Sequence, residues 1–278
     1  MIEHKGIKYR VVDAHTHWTS LLSKLLKPAF GWLAIGEVID VSFAKWDAIL
    51  EDSNSNLELK QKLYLQGLDY FGIDRAIALP VFPFDAKFMI ETEKYAPDRI
   101  IGFAGLLPRL GNRMKKLEQF TKLGFKGLKL HPQFNIFHPK THQTMMEQIL
   151  TYCQEKKIVI LMHAGSHFEI RELTQILKPY DNLTFILGHM GLGSQADQAI
   201  ECAKTLPNVI LDMSSQPYFS LINQAIHDPD IGVERVVYGS DFPMLNPRVE
   251  IMKILQLPIS EDEKQMIFAK NIEKIFPR

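Results

Sequence analysis

Cysteine is scarce: Cys153 and Cys202 are the only two in 278 residues. A disulfide-stapled scaffold and a cysteine-rich zinc module are therefore excluded, because two thiols 49 positions apart have no metal-like spacing. Two free thiols in predicted helices suit a reducing, cytoplasmic setting. Net charge is missing as well, with 32 Lys plus Arg against 32 Asp plus Glu. No global field draws in nucleic acid or an anionic membrane. No stretch approaches the ~18 apolar residues of a membrane span, and the opening "MIEHKGIKYR" lacks the apolar centre of a secretion signal. No Gly/Pro-rich linker, internal repeat or low-complexity tract divides the chain, so residues 1–278 read as a single domain.

Short apolar runs are present in quantity, and each is followed by a turn and a helix-period segment. They are "VVDAHTH" (11–17), "AIALPVF" (76–82), "IIGFAGLLP" (100–108) and "FKGLKLHP" (125–132), then "IVILMHAG" (158–165), "LTFILGHMG" (183–191), "VILDMSS" (209–215) and "VVYGSDFP" (236–243). Each has the length and the Val, Ile, Leu or Phe content of a strand buried on both faces. Between them lie amphipathic segments such as "NRMKKLEQFTKLG" (112–124), "HQTMMEQILTYCQEKK" (142–157) and "SQADQAIECAKTL" (194–206). From the second run onward the starts are roughly 24–32 residues apart. That alternation implies parallel strands joined by right-handed crossovers. Eight units fit an α/β fold of the (β/α)8 TIM-barrel type. A doubly wound open sheet is the alternative, weakened by the missing Gly-rich dinucleotide fingerprint after the first strand. Residues 18–75 break the rhythm and predict a long first βα loop before a helix at about 57–71. That loop is expected to form a lid or pocket wall, the alternative being an insertion packed on the barrel's side. "EDEKQMIFAKNIEKIF" reads as a closing helix.

The polar residues of these runs gather at their C-terminal ends: His15 and His17, Lys129 and His131, His163, His189, and Asp241. This is the end where such barrels build active sites. Residues i and i+2 of a strand face the same way, so His15 and His17 can approach one ion, with His163 and Asp241 reaching it from strands 5 and 8. Imidazoles plus a carboxylate suit one Zn2+, with Mn2+, Fe2+ or Co2+ as alternatives. Asp13, two residues before His15, reads as an orienter of a ligand on the same face. "HPKTH" sets His138 and His142 at an i, i+4 spacing, which at a helix start suits capping or solvent exposure. Trp18 and His167 are candidate pocket residues, as are Glu169, Ser215 and Gln216. His4 and His227 read as surface residues.

The segments "DAHTH", "GLKLHP", "MHAG", "LGHMG" and "YGSDFP" resemble the amidohydrolase superfamily, in particular its amidohydrolase-2 branch with the aminocarboxymuconate-semialdehyde decarboxylase-like enzymes. The resemblance runs from strand 1 to the closing helix. It implies metal ligation by His15, His17, His163 and Asp241. His189 would activate water or hold a substrate oxygen, and Asp241 would also shuttle protons. For Lys129 three roles stay open: substrate contact together with His131, a carbamylated bridge between two metals, or a snorkelling structural lysine. One metal is the expectation, two the alternative. The expected activity is hydrolysis of a carbonyl in a small substrate by a metal-activated water. The alternative is non-oxidative decarboxylation of an unsaturated or aromatic acid, with Lys129 and Arg109 as candidate clamps for a carboxylate. A metal-dependent deoxyribonuclease fits less well. That type usually has a glutamate where Lys129 stands, and no basic cluster with interleaved aromatics suggests nucleic acid. A non-catalytic metal binder is disfavoured because every expected ligand position is filled. The family also implies a homodimer.

Overall fold

The structure, a computed structural model, describes residues 1–18, 57–80 and 85–277. The expected lid, as far as it falls on residues 19–56, lies outside them. An antiparallel hairpin of β1 (Ile2–His4) and β2 (Ile7–Tyr9) opens the chain. Its turn uses Lys5 and Gly6 at φ 50° and 78°, where glycine is at ease. No apolar run marks this hairpin in the sequence, because its strands are three residues each.

Eight parallel strand positions follow, one for each apolar run. The first is β3 (Val12–Trp18) and the second β4 (Arg75–Pro80). The third is split into β5 (Ile100–Gly102) and β6 (Ala104–Gly105). Then come β7 (Gly127–Leu130), β8 (Val159–His163), β9 (Phe185–Gly188), β10 (Val209–Asp212) and β11 (Val236–Val237). Regular pairing gives two arcs, β3-β4-β5 and β6-β7-β8-β9-β10-β11. Backbone hydrogen bonds join the arcs at both seams. Phe103 N donates to Ala78 O at 3.0 Å across the one-residue break. At the other seam Ala14 N donates to Tyr238 O at 2.9 Å, and Asp241 N donates to His15 O at 2.7 Å. The architecture is a (β/α)8 barrel.

A helix returns the chain after each strand position: α1 (Leu57–Tyr70), α2 (Ala86–Tyr95), α3 (Arg113–Lys122) and α4 (Gln143–Lys156), then α5 (Ile170–Leu177), α6 (Ala196–Thr205), α7 (Phe219–His227) and α8 (Pro247–Leu255). Their buried stripes meet the outside of the sheet in one large cluster that includes Cys153 and Cys202, both free thiols. The closing segment is interrupted: α9 (Glu261–Gln265), a π turn over Met266–Lys270, and α10 (Asn271–Ile275). Ser260 and Glu263 form a capping box at the start of α9.

Inside the barrel a second cluster fills the lower half. Val12, Ala14, Ile77, Leu79, Phe103, Val159, Leu161, Ile186 and Val237 meet Ala269, Ile272 and Phe276 of the closing segment. Gly127 is required there, because a Cβ would lie 2.2 Å from the Phe103 ring. Among the described residues no helix is long and apolar enough to cross a membrane.

Candidate metal centre and active-site cavity

The first strand re-aims itself midway. Asp13 pairs with Ala76, and Thr16 pairs with Ala78, so three steps on β3 match two on β4. This is a β-bulge, which shifts the inward-facing parity by one residue. Val12 and Ala14 therefore point into the apolar floor, and His15 and His17 point into the mouth above it. Thr16 faces the other way, accepting or donating at Tyr64 and donating to Ile77 O. The bulge also corrects the reading of Asp13 as a neighbour on the histidine face. Its Oδ1 accepts from His15 N and from Ser240 N, both at 3.0 Å, and so ties β3 to the chain after β11. Burial pushes the Asp13 carboxyl up to about 8 against these hydrogen bonds.

His15 is fully buried, and its Nδ1 lies 2.6 Å from Asp212 Oδ2. Ser214 N and Oγ also donate to that carboxylate, at 2.9 and 2.8 Å. A carboxylate only accepts, so Nδ1 carries the proton and Nε2 turns a bare lone pair to the cavity. That Nε2 is 3.1 Å from His17 Nε2, 3.0 Å from Lys129 Nζ and 3.6 Å from Asp241 Oδ1. His17 Nε2 is 3.2 Å from the same carboxylate oxygen. One ligand atom each from His15, His17 and Asp241 lies within 4.8 Å of the others. Two imidazole nitrogens and a carboxylate oxygen converge here, a donor set that suits a divalent cation once His17 Nε2 gives up the hydrogen it shares with Asp241.

Asp212 is the residue that sequence reasoning missed. It sits inside an apolar run, and nothing local separates it from an ordinary strand-end aspartate. Its signal is positional, since it ends β10 on the rim where the other polar residues gather.

The same rim holds the remaining candidates. His189 directs Nδ1 at Ser214 Oγ (2.9 Å) and Ser214 O (3.2 Å); the carbonyl can only accept, so Nδ1 carries hydrogen. His163 stacks on His131 with ring centroids 4.0 Å apart and meets His189 edge-on at 4.8 Å. His163 is not part of the 4.8 Å trio, although it lines the same cavity. His131 continues the stack onto Phe134 at 4.2 Å. Three site residues adopt left-handed backbone: His189 (φ 61°), Ser215 (58°) and Asp241 (60°). Such conformations persist where the surroundings over-determine them. Ser215 Oγ donates to Asp241 Oδ2 at 3.2 Å.

Burial sets the charge states. It lowers the imidazoles of His15, His17 and His163, and takes His131 down to about 2. Neighbouring Lys129 adds to the effect at each of them. Burial also takes the Lys129 ammonium down to about 8, opposed by Asp241 and Asp212. Burial alone would raise Asp241. The His17 hydrogen bond and the surrounding imidazoles outweigh it and hold that carboxyl well below the usual range.

These side chains enclose a cavity of roughly 270 Å³. His17, Lys129, His131, His163, His189 and Asp241 supply its polar side, and Pro80, Gly105, Phe134 and Met244 its apolar side. Other candidates fall elsewhere. Trp18 is buried and stacks on Tyr64 at 4.7 Å, and is not a wall of the cavity. His167 and Arg109 are exposed and do not line it. Glu169 accepts from Gln198. Gln216 is fully buried, with its side chain bonded to backbone. His138 and His142 hydrogen-bond to loop backbone at the start of α4.

The sequence matches the amidohydrolase family over residues 12–278, and the chain belongs to that family. No curated protein matches it. Among solved structures it is similar to an uncharacterised TIM-barrel protein from Bordetella bronchiseptica, at 16% identity and a TM-score of 0.71, covering 96% of this chain and 98% of the other. It is also similar to a dihydroxybenzoic acid decarboxylase from Polaromonas sp., solved with manganese and 2-nitroresorcinol. There identity is 15% and the TM-score 0.69, with 97% of each chain covered. A probable 2-pyrone-4,6-dicarboxylic acid hydrolase from Acinetobacter baumannii, with citric acid bound, matches at 15% identity and a TM-score of 0.65, covering 96% of this chain and 99% of the other. At these identities the likeness shows the shared barrel. With the family and the rim chemistry, it marks the chain as an enzyme of this metal-binding class.

Proposed function

We propose that the chain is a metal-dependent, non-oxidative decarboxylase of a small aromatic or unsaturated carboxylic acid. The observation that carries this reading is a buried ammonium, Lys129, set among neutral imidazoles beside Asp241 in a cavity with apolar walls. An anionic planar acid satisfies both halves of that cavity. Its carboxylate pairs with Lys129, and its ring lies against Phe134, Pro80 and Met244. The decarboxylase neighbours point the same way.

His15, His17 and Asp241 are the residues to hold one divalent cation, with His163 as the fourth from across the cavity. Zn2+ fits these donors, as do Mn2+, Fe2+ and Co2+. A cation bound there supplies Lewis-acid polarisation of a substrate oxygen. The chain's own groups do the rest. Asp241 is ionised at rest; the substrate's negative charge raises its proton affinity, and it takes up a proton from water as the substrate binds. Asp241 then delivers a proton to the carbon that bears the carboxylate. The bond from that carbon to the carboxylate breaks, its electron pair returns to the unsaturated system, and CO2 leaves. Asp241 regains its proton from water. His189, with hydrogen on Nδ1, offers its Nε2 as an acceptor for a substrate hydroxyl.

One observation favours a second reading, hydrolysis of a small lactone, ester or amide. Asp241 rests below the usual carboxylate range and is suited to take a proton from water. The test is a paired screen: CO2 release from hydroxylated aromatic and unsaturated acids, and ring opening of lactones, with Asp241→Asn as control. The proposal expects CO2 release that falls by about 10²–10⁴-fold in the variant. Lactone hydrolysis without CO2 release would replace it with the second reading.

A further inference from the structure

The turn that carries His189 runs against ordinary backbone preference. His189, Met190, Gly191, Leu192 and Gly193 have φ of 61°, 46°, 77°, 39° and 63°, five consecutive residues in the left-handed region. Three of them carry side chains that disfavour it. Something must hold this segment, because the direction of the His189 ring depends on it.

Part of the hold is local. Asp212 Oδ2 accepts from His189 N at 3.3 Å, and Leu192 N donates to His189 O at 2.9 Å. Gln195 N donates to Gly191 O at 3.2 Å and Ala196 N to Gly193 O at 3.3 Å at the far end of the turn, and Gln216 holds the end next to His189. Its Nε2 donates to Met190 O at 3.3 Å and lies 3.5 Å from His189 O. Its Oε1 accepts from Tyr218 N at 3.2 Å, and its backbone N donates to Met213 O at 3.2 Å. Gln216 is in turn anchored from outside the barrel. Lys253 on α8 donates to Gln216 O at 2.8 Å and to both carboxylate oxygens of Glu250, each at 2.8 Å. Glu250 is 2% exposed. A charge pair kept this deep contributes little net stability by itself. Its geometric effect is specific: it fixes the one carbonyl that sets Gln216 against the His189 turn.

We propose that Gln216, anchored by Lys253 and Glu250, is the positioning residue for His189. It touches no part of the cavity. It acts by holding the left-handed turn so that His189 keeps Nδ1 on Ser214 and presents Nε2 to the cavity. This goes beyond the decarboxylase reading and stands whichever carbonyl chemistry the cavity performs.

The test reads the His189 ring directly by long-range 1H–15N correlation of the imidazoles, with His189→Gln assigning the signals. Two variants are compared with wild type: Gln216→Met, which removes both donors at similar volume, and the double variant Glu250→Gln/Lys253→Met, which leaves no buried charge unpaired. Wild type is expected to show one tautomer with hydrogen on Nδ1. In both variants the two ring nitrogens move toward a shared intermediate shift, and Lys253→Arg keeps the wild-type pattern. Circular dichroism identifies folded protein, and if the double variant does not fold, Gln216→Met decides. A wild-type His189 pattern in folded Gln216→Met overturns the proposal.

Discussion

Val12 and Ala14 point into the same barrel as His15 and His17, but the two pairs occupy opposite chemical settings. Below the β3 bulge the interior is lined mainly by apolar side chains and closed by Ala269, Ile272 and Phe276, with buried Arg75 donating to Phe276 O at 2.6 Å. Above it the interior holds Lys129, Asp212 and Asp241 with several histidines, all desolvated and bound to one another. The floor stabilises the fold chiefly by apolar burial. The rim costs stability. Its charges are desolvated, and His189, Ser215 and Asp241 sit in strained backbone. One inserted residue in one strand divides the two regimes.

The comparison can be broken from either end. Phe103→Ala empties the floor beside Gly127 and Phe276. It should cost about 3–5 kcal/mol by chemical denaturation, with metal content per folded chain unchanged. A matching loss of metal would mean that the halves are not separable. Asp212→Asn acts at the rim. Releasing His15 from its tautomer should weaken metal binding by about 10–100-fold, measured by competition with a chelator. An unchanged affinity would remove Asp212 from the account.

Acid sharpens the contrast further. The His131 imidazole falls from its ordinary 6.5 to about 2 in the folded chain, chiefly through burial. The unfolded chain therefore takes up a proton near pH 6.5 that the folded chain refuses. This contribution is present above that pH and is lost progressively as pH falls below it. His131→Gln should flatten the acid limb of stability below about pH 6.5, and an unaltered slope would contradict it. The smallest effect belongs to the floor's closing segment. Ser260→Ala removes the capping box and should cost about 1 kcal/mol in thermal or denaturant unfolding.

The fold was largely legible because both-face-buried strands write themselves as apolar runs, and every one of the eight became a strand position. The split of the third strand at Phe103 was not legible, since a one-residue break leaves no compositional mark. At the site, His15, His17 and Asp241 could be grouped from their rim positions. The alternation of strand faces that places the first two together holds only locally. Asp13 does not share the histidine face, because the bulge lies between Asp13 and Thr16. Trp18 read as a pocket residue by adjacency and turned out to pack on Tyr64. Gln216 read as a substrate contact and instead braces backbone. Polar residue type suggests a binding role equally in both settings, and only the tertiary partners separate them.

The central claim is that the rim of this barrel holds one divalent cation between His15, His17 and Asp241. Elemental analysis of purified protein tests it most directly, on wild type, His17→Ala and Asp241→Ala. About one divalent ion per chain is expected in the wild type, with occupancy lost in both variants while the fold is retained. Full occupancy in both folded variants would contradict it.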